Sequence, residues 1–215
     1  MVKLVKYITM KKQIPENTIN RLSAYYRMLI YLAQRGTRVI SSKSLANILG
    51  MKDSQVRKDL SYFGRFGVRG EGYQVALLSQ KILHILGLEK GRRVCIIGMG
   101  NLGSALAAYK GFSDFGFEIR AVFDSNPGKI GKNIRGYHCY PAAEIKSMVK
   151  KERIELAILT VPIEQAQVVA NRAVEAGIKA ILNFAPVRLS VPPQIRVDNV
   201  DLAMELKKLS YFAGK

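Results

Sequence analysis

A set of three glycines between a β-branched stretch and a run of small residues constrains the fold of this chain more than any other feature. Residues 92–109, RRVCIIGMGNLGSALAAY, indicate a strand, a turn with the spacing G-x-G-x-x-G, and the start of a helix. In such a turn the first glycine allows a tight bend, the second admits a pyrophosphate close to the backbone, and the third lets the helix pack closely on the strand. The stretch therefore predicts a dinucleotide site. Its predicted cofactor contacts are Gly98, Met99, Gly100, Asn101, Leu102 and Gly103.

The next predicted strand, FEIRAVFD, ends on Asp124, which stands 21 residues after Gly103. A carboxylate at this position accepts hydrogen bonds from an adenosine ribose and repels a 2′-phosphate, so Asp124 favours NAD(H) over NADP(H). Arg120 and Lys129 lie nearby in sequence and weaken that preference. The alternative interpretation makes Asp124 simply the first residue of the turn DSNPGK.

Strands and helices continue to alternate up to residue 186, and this pattern predicts a mostly parallel, doubly wound sheet. Ligands in such sheets lie beyond the carboxyl ends of the strands. Two further predicted strands end at this carboxyl edge, and the residues that follow them predict a wall for the nicotinamide ring. The alternative is that these residues form turns with no ligand. The predicted wall residues are Thr160, Val161, Pro162, Asn183 and Phe184.

The first part of the chain has helical spacings and a strong positive charge. Residues 1–86 contain 15 basic and 4 acidic residues, a net charge of +11 out of +18 for the whole chain, and such a field attracts nucleic acid. A helix over residues 15–36 is followed by two short helices joined at Gly50, with Ser42 as the predicted cap of the first and Asp53 or Ser54 of the second. This arrangement is typical of a helix-turn-helix.

The second of these short helices has an apolar stripe on one side and a polar, basic face on the other. After it, RFGVRGEGYQV predicts a wing in which Val68 and Val75 lie on paired strands. The alternative is a basic helical face with no ligand. The predicted DNA contacts are Ser54, Gln55, Arg57, Lys58, Ser61, Arg65 and Arg69.

These patterns predict an α/β protein with three parts. An N-terminal winged helix-turn-helix domain spans residues 1–86, a Rossmann-type doubly wound parallel sheet spans residues 87–198, and a C-terminal helix occupies residues 199–215. That last helix carries Leu202, Leu206, Leu209 and Ala213 on one side. A partner subunit would bury this stripe; packing on the first domain is the alternative.

Other function classes are disfavoured by what the sequence offers. No apolar run approaches the ~20 residues that span a bilayer, and no signal peptide is recognisable, so we expect a cytoplasmic protein without membrane contact. Cys95 and Cys139 have no metal-ligand spacing, so neither a disulfide nor a metal site is expected. The sheet domain offers only His138 as a neutral-pH acid or base, away from the carboxyl edge, which disfavours an NAD-dependent oxidoreductase.

Four motifs in this order and spacing, QVRKDLSYFGRFGVRGEGY, IIGMGNLGSALA, ILTVP and ILNFAPV, resemble the Rex family of redox-sensing transcriptional repressors. The resemblance runs from about Pro15 to Phe212. It implies a homodimer with winged-helix and Rossmann domains, bound NADH or NAD+, and a C-terminal helix exchanged between subunits. It also implies repression at a palindromic double-stranded DNA operator, from which NADH releases the protein.

The resemblance also assigns roles to individual positions. Arg57 and Lys58 fall in the family's recognition helix and Arg69 in its wing, while the glycines and Asp124 match its NAD site. The family's domain-coupling residues correspond to Arg27, Tyr109 and Asp201, and Tyr109 is expected to contact the cofactor as well. Many relatives continue past LSYFAGK, so we expect a shorter swapped helix here. A regulator that senses CoA or another nucleotide would share the sheet without needing Asp124.

Overall fold

The structure of the protein is a computed structural model that describes residues 14–68 and 70–214. The chain divides into two compact units, and the division falls between Glu89 and Lys90. The first unit is mainly helical and the second is built on a parallel sheet.

Short helices and a two-stranded ribbon make up the described part of the first unit. Its elements are α1 (Glu16–Gln34), β1 (Val39–Ile40), α2 (Ser42–Ile48), α3 (Asp53–Ser61), β2 (Tyr73–Gln74) and α4 (Val75–Ile85). β1 pairs antiparallel with β2. The core forms because apolar residues recur at helical spacing: Leu22, Tyr25 and Leu29 of α1 pack in one buried cluster with Val56 and Leu60 of α3.

Some local predictions for this unit were wrong. Ser41, not Ser42, caps α2, because its hydroxyl accepts the backbone N–H of Ser44 at 3.0 Å. α3 begins after Lys52 without a side-chain cap. Val75 does not lie on a wing strand but begins α4, since β2 ends at Gln74 after pairing with β1.

A seven-stranded sheet with helices on both faces forms the second unit. Its strands are β3 (Arg92–Ile97), β4 (Phe117–Asp124), β5 (Asn133–Ile134), β6 (Tyr137–Pro141), β7 (Leu156–Leu159), β8 (Ala180–Asn183) and β9 (Arg196–Asn199). Its helices are α5 (Asn101–Ala107), α6 (Gly111–Asp114), α7 (Ile145–Glu152), α8 (Ile163–Ala176) and α9 (Leu202–Ala213), with a 3₁₀ turn at Ala142–Glu144. The spatial order is β5-β6-β4-β3-β7-β8-β9, and only the edge strand β5 runs antiparallel.

Strand order confirms the predicted Rossmann-type sheet. The six parallel strands follow the order of two mononucleotide-binding halves joined at the centre, with β3 first in the chain. Both faces are buried: Ile97 and Phe123 lie in one apolar cluster, while Ile96 and Val122 lie in another. Strands covered on both sides have near-continuous apolar sequences, which explains why these were easy to predict.

The end of the sheet differs from the sequence prediction. β9, with the sequence RVDN, adds a sixth parallel strand beside β8 beyond residue 186, where the sheet was predicted to end. After it, Asp201 caps α9: its carboxylate accepts the backbone N–H of Met204 at 2.9 Å. Within one chain every residue of α9 is exposed.

Two arginines adopt a left-handed backbone conformation that residues with a side chain rarely tolerate. Arg135 has φ 54° between β5 and β6, and Arg153 has φ 51° directly after α7. We expect Arg135→Gly and Arg153→Gly each to raise the free energy of unfolding by about 1 kcal/mol, because glycine adopts this φ without steric cost. Urea denaturation measures the change. Arg172→Gly, inside α8, is the control and should lose about 1 kcal/mol; a loss in all three variants would contradict the argument.

Candidate functional site

The glycine-rich turn lies at the carboxyl edge of the sheet, at the point where the strand order reverses. Chain connections from the central strand β3 lead to β4 on one side, and β7 is its neighbour on the other. Gly98 directly follows β3 and Thr160 directly follows β7, so the crevice between these strand ends contains the turn. Open α/β sheets bind their ligands at such a switch point.

The three glycines of the turn serve different purposes. Gly98 has φ 101°, and a Cβ there would lie 2.6 Å from the carbonyl oxygen of Thr160. A Cβ on Gly103 would lie 1.9 Å from the carbonyl oxygen of Gly98, because α5 packs directly on the turn. A Cβ on Gly100 would meet nothing within 4 Å. The fold therefore requires glycine at 98 and 103, whereas glycine at 100 leaves open space at the surface of the turn.

Asp124 holds the glycine-rich turn in place through a hydrogen bond to its backbone. Its Oδ2 accepts the backbone N–H of Met99 at 2.8 Å and the ammonium of Lys129 at 3.1 Å, while its Oδ1 accepts the backbone N–H of Asn126 at 2.8 Å. Burial alone would raise the pKa of Asp124, but these hydrogen bonds together hold the pKa below its ordinary value. An ionised carboxylate has about four acceptor positions. One remains on Oδ1, which is enough to accept a ribose hydroxyl.

A cavity of about 530 Å³ opens over the turn, a size typical of small-ligand pockets. Most of the predicted cofactor residues line it: Gly98, Gly100, Asn101, Leu102, Asp124, Thr160, Val161 and Pro162. The side chain of Met99 instead lies in the apolar core, 2% exposed, so only its backbone belongs to the site. Thr160 donates its hydroxyl to the carbonyl of Gly98 at 2.6 Å and so joins the two halves of the crevice.

Sequence reasoning missed several residues on the α8 side of this cavity. Gln165, Val168 and Arg172 all line it, at spacings that place them on one face of α8. Lys129 and Arg172 are the two cations of the lining. The helical periodicity of α8 could have identified Arg172 as facing the strand ends.

Two residues of the predicted nicotinamide wall do not line the cavity. Asn183 is fully buried, and its amide donates to the carbonyls of Ala185 and Val187 and to the side chain of Asn199. It organises the loop after β8. Phe184 packs on the apolar cluster that contains Ile96 and Val122. Of the predicted nicotinamide wall, only Thr160, Val161 and Pro162, which follow β7, line the cavity within one chain.

The exposed face of α3 is polar and basic. Arg57 is paired with Asp53 at 2.6 Å and donates to the hydroxyl of Ser42 at 3.2 Å, while Ser54 and Lys58 are exposed beside it. Ser61 is also exposed and donates to the carbonyl of Lys58 at 2.7 Å. These side chains share a face that can meet a DNA groove.

A groove of about 510 Å³ separates the end of α3 from the predicted wing. Among the described residues on either side of position 69, the predicted wing is paired at one bridge, between Val68 and Gly72. The described lining of the groove contains no carboxylate; its arginine and serine side chains are those of Arg57, Arg65, Ser41, Ser42 and Ser61. Such a lining suits a phosphate backbone. The predicted contact Arg69 lies outside the described residues.

The buried carboxylate of Asp59, between α1 and α3, was not predicted from the sequence. Asp59 is 0% exposed, and Arg21 donates to both of its oxygens, at 2.6 and 2.8 Å. Tyr25 donates to it at 2.7 Å, Thr18 at 3.1 Å and Gln55 at 2.8 Å. Gln55, a predicted DNA contact, therefore uses its amide within the protein in this structure, and its contact with DNA stays a prediction. Burial alone would raise the pKa of Asp59, but the hydrogen bonds outweigh it and hold the pKa below its ordinary value.

Two family models match the chain: "Putative DNA-binding protein N-terminus" over residues 13–61 and "CoA binding domain" over residues 89–187. The redox-sensing transcriptional repressor Rex of Desulfitobacterium hafniense is 46% identical over 94% of this chain and 96% of its own length. Rex of Thermus thermophilus is 47% identical over 93% of both. The chain belongs to the Rex family. Among solved structures, the Rex-family repressor RSP with β-NAD+ and operator DNA superposes with a TM-score of 0.89, at 39% identity over 93% of this chain and 92% of RSP.

RSP has also been solved with β-NADH, and that structure matches with a TM-score of 0.83 and 37% identity over 94% of each chain. Rex proteins are transcriptional repressors, so membership confirms a regulator and not an oxidoreductase. Among the residues that the structure describes, no cluster of His, Cys, Asp or Glu could hold a metal ion. No helix in residues 14–68 and 70–214 is long and apolar enough to cross a membrane.

The three residues predicted to couple the domains, Arg27, Tyr109 and Asp201, lie on different elements. Arg27 is an exposed residue of α1 in the first unit. Tyr109 follows α5, is 57% exposed, and stacks edge-on against Phe112 at a surface depression separate from the Gly100 cavity. Asp201 caps α9. In a single chain Tyr109 does not line the cavity over the glycine turn, so its predicted cofactor contact stays a prediction.

Proposed function

We propose that this Rex-family chain is a repressor that binds a palindromic operator as a homodimer and is released by NADH. One observation carries this proposal: the same chain contains a dinucleotide-type glycine turn, hydrogen-bonded to Asp124, and a basic helix-turn-helix. Similarity to RSP, whose structures contain NAD+ with operator DNA and NADH alone, supports it. The proposed site of action is the cytoplasm, where operator DNA and the cofactor pool are both accessible.

The cavity over the glycine turn is the proposed cofactor site. The pyrophosphate lies over Gly100, where no Cβ obstructs it, and the cations of Lys129 and Arg172 compensate its charge. A ribose hydroxyl donates to the remaining acceptor position of Asp124. The nicotinamide extends toward Thr160 and Pro162, which follow β7.

The exposed face of α3 and the adjoining groove form the proposed DNA surface. Arg57 and Lys58 enter the major groove from α3, and Arg65 contacts the backbone from the groove beside the wing. Ser54 donates its hydroxyl to a phosphate, and Ser61 does so once it gives up its hydrogen bond to the carbonyl of Lys58. Binding requires Arg57 to exchange its ion pair with Asp53 for a base or phosphate, a low-cost exchange because both side chains are exposed.

A second copy of this chain is the proposed partner of α9. Its six large apolar side chains are between 58 and 68% exposed in one chain, namely Leu202, Met204, Leu206, Leu209, Tyr211 and Phe212. Isolated surface leucines need no explanation, but six on one helix need a partner. A homodimer also presents two copies of α3, and a palindromic operator has two half-sites about one helical turn apart.

Repression and release follow from a shift between two dimer states. If operator DNA binds one state better and NADH the other, each ligand lowers the affinity of the other. Linkage makes the effect reciprocal: any factor by which NADH weakens operator binding is the factor by which operator weakens NADH binding.

Fluorescence anisotropy with a labelled palindromic operator tests the proposal. NADH, NAD+ and NADPH are titrated separately at a stated salt concentration, because protein–DNA affinity depends steeply on salt. We expect NADH to release the DNA and NADPH to leave it bound. If saturating operator leaves NADH affinity unchanged where NADH abolishes operator binding, the two-state scheme is wrong.

The match to a CoA-binding domain model supports a second candidate function, that of a regulator that senses CoA. The variant Asp124→Ala discriminates between an NADH sensor and a CoA sensor. An NAD site should lose at least about tenfold in NADH affinity, because a charge-assisted hydrogen bond and the anchor of Met99 are both removed. Calorimetry with NADH and with CoA measures the change. Asp114→Ala, which removes an exposed carboxylate from α6, is the control and should bind NADH like the wild type. CoA binding to the wild type that Asp124→Ala leaves intact, with no NADH binding, would favour the CoA regulator.

A further inference from the structure

A second cavity of the sheet unit lies at the edge opposite the cofactor site and is strongly basic. It measures about 570 Å³ and is formed where β3, β7 and β8 begin. β3 spans six residues, so the two edges are separated by about 17 Å along the strand. Its basic lining residues are Lys90, Arg93, Lys146, Lys150, Arg153 and Lys179.

Little of this charge is neutralised within the unit. The one carboxylate of the lining, Glu155, pairs with Lys179 at 2.8 Å and also with Arg92 at 2.8 Å. Arg93 donates to the carbonyl of Glu152 at 3.0 Å, at the end of α7. The side chains of the other four lining cations, Lys90, Lys146, Lys150 and Arg153, make no hydrogen bond or ion pair among the described residues.

The helix dipoles and Glu155 neutralise only part of the positive charge of this cavity. The ends of α7 and α8 both border the cavity and carry about half a negative charge each. With Glu155 they offset roughly two of the six cations and leave an excess of roughly four positive charges in one concave site. Like charges at this density repel each other and lower the stability of the unit unless an anion binds there.

Arg153 adds a second reason to assign a ligand to this cavity. It occupies the left-handed position after α7, φ 51°, where glycine is the least strained residue. An arginine there costs local stability and adds a cation to an already basic site. Backbone strain can mark a functional position, but Arg135 shares this conformation outside the cavity, so the strain at Arg153 counts only together with the basic site around it.

We propose that this cavity binds the triphosphate group of a small polyphosphate, inorganic or attached to a nucleoside. A compact chain of phosphates matches several cations around one concavity, and the volume is in the range of small-ligand sites. A DNA duplex fits less well, because a convex rod cannot enter the concavity. The cavity is distinct from the cofactor site and does not depend on the function proposed above.

The test is calorimetric titration of inorganic tripolyphosphate into the full-length protein at fixed ionic strength, followed by cytidine triphosphate. Lys150→Gln with Arg153→Gly removes two cations of the cavity; both are exposed and the glycine is expected to stabilise the fold. Arg135→Gly is the control for the backbone change, since it removes one arginine of the same backbone conformation outside the cavity. We expect both triphosphates to bind the wild type and the control alike, and to lose at least about tenfold in affinity in the double variant.

Four results would overturn the proposal. Two of them would indicate only general charge attraction: triphosphate binds no better than monophosphate at the same ionic strength, or the double variant and Arg135→Gly lose affinity equally. Loss of triphosphate binding in Arg57→Gln with Lys58→Gln, but not in the cavity variant, would place binding on α3. Finally, if short non-operator duplex DNA loses affinity in the cavity variant while triphosphate does not, the cavity belongs to a nucleic-acid surface.

Discussion

Replacing Asp59 with alanine is expected to cost about 3 kcal/mol of folding free energy and to abolish operator binding. The substitution removes the acceptor of five hydrogen bonds at once and leaves Tyr25 and Thr18 buried without that acceptor. It also disconnects α3 from α1, so the basic face of α3 loses its fixed orientation. Urea denaturation and operator anisotropy measure the two effects.

The control for Asp59→Ala lies on the same helix. Asp53→Ala removes the same charge, but its ion pair with Arg57 is exposed, so we expect little change in stability and no loss of operator affinity. If Asp53→Ala and Asp59→Ala behaved alike, net charge and not the buried contact would be responsible.

The pH dependence of stability provides a separate measure of Asp59. Its folded pKa lies below the ordinary value of 3.8, so its contribution is complete above that value and is lost as the pH falls through the folded pKa. The stability difference between wild type and Asp59→Ala should therefore shrink below about pH 4. Parallel curves down to pH 2 would contradict this assignment.

Gly103→Ala is expected to lose about 3 kcal/mol of folding free energy and all measurable NADH binding. The new Cβ would lie 1.9 Å from the carbonyl oxygen of Gly98, and backbone cannot move aside as a flexible side chain can. α5 must then withdraw from the turn, and the cavity wall moves with it. Thermal denaturation and NADH fluorescence measure the two losses.

Gly100→Ala separates the two effects. A Cβ there meets no protein atom within 4 Å, and the residue has φ −71°, so the fold should remain stable. NADH affinity should still fall at least about tenfold, because the methyl group occupies the space assigned to the pyrophosphate. A stable Gly100→Ala protein that binds NADH normally would disprove the proposed position of the cofactor.

Local sequence was sufficient to predict the sheet and most of its carboxyl edge. Gly98, Gly100, Gly103 and Asp124 stand at fixed spacings within two strands and one helix, so neighbouring residues specify their geometry. β9 was missed because RVDN is a polar edge strand, exposed along much of its length, and lacks the apolar run that identified the inner strands. Asn183 was assigned to the cavity wall because the strand end was visible in sequence, but the acceptors of its amide were not.

The helix-turn-helix was also predictable from local sequence, but the buried carboxylate of Asp59 that joins its helices was not. Asp59 looks like one more polar residue of a basic helix. Its partners Thr18, Arg21 and Tyr25 are 41, 38 and 34 residues away, and only folding shows that they converge. Helical periodicity also gave no sign that Gln55 donates its amide to Asp59; its predicted contact with DNA stays a prediction.

The ionised state of Asp124 has a consequence for what the protein can measure. Its pKa lies below the ordinary value of a carboxyl group, so Asp124 keeps its charge and its hydrogen bonds to the turn through the neutral range. The described lining of the cavity contains no histidine. We therefore expect the proposed ribose contact of Asp124 to be retained when the pH falls by about one unit below neutrality. A change in cofactor occupancy over that range would have to originate outside this carboxylate.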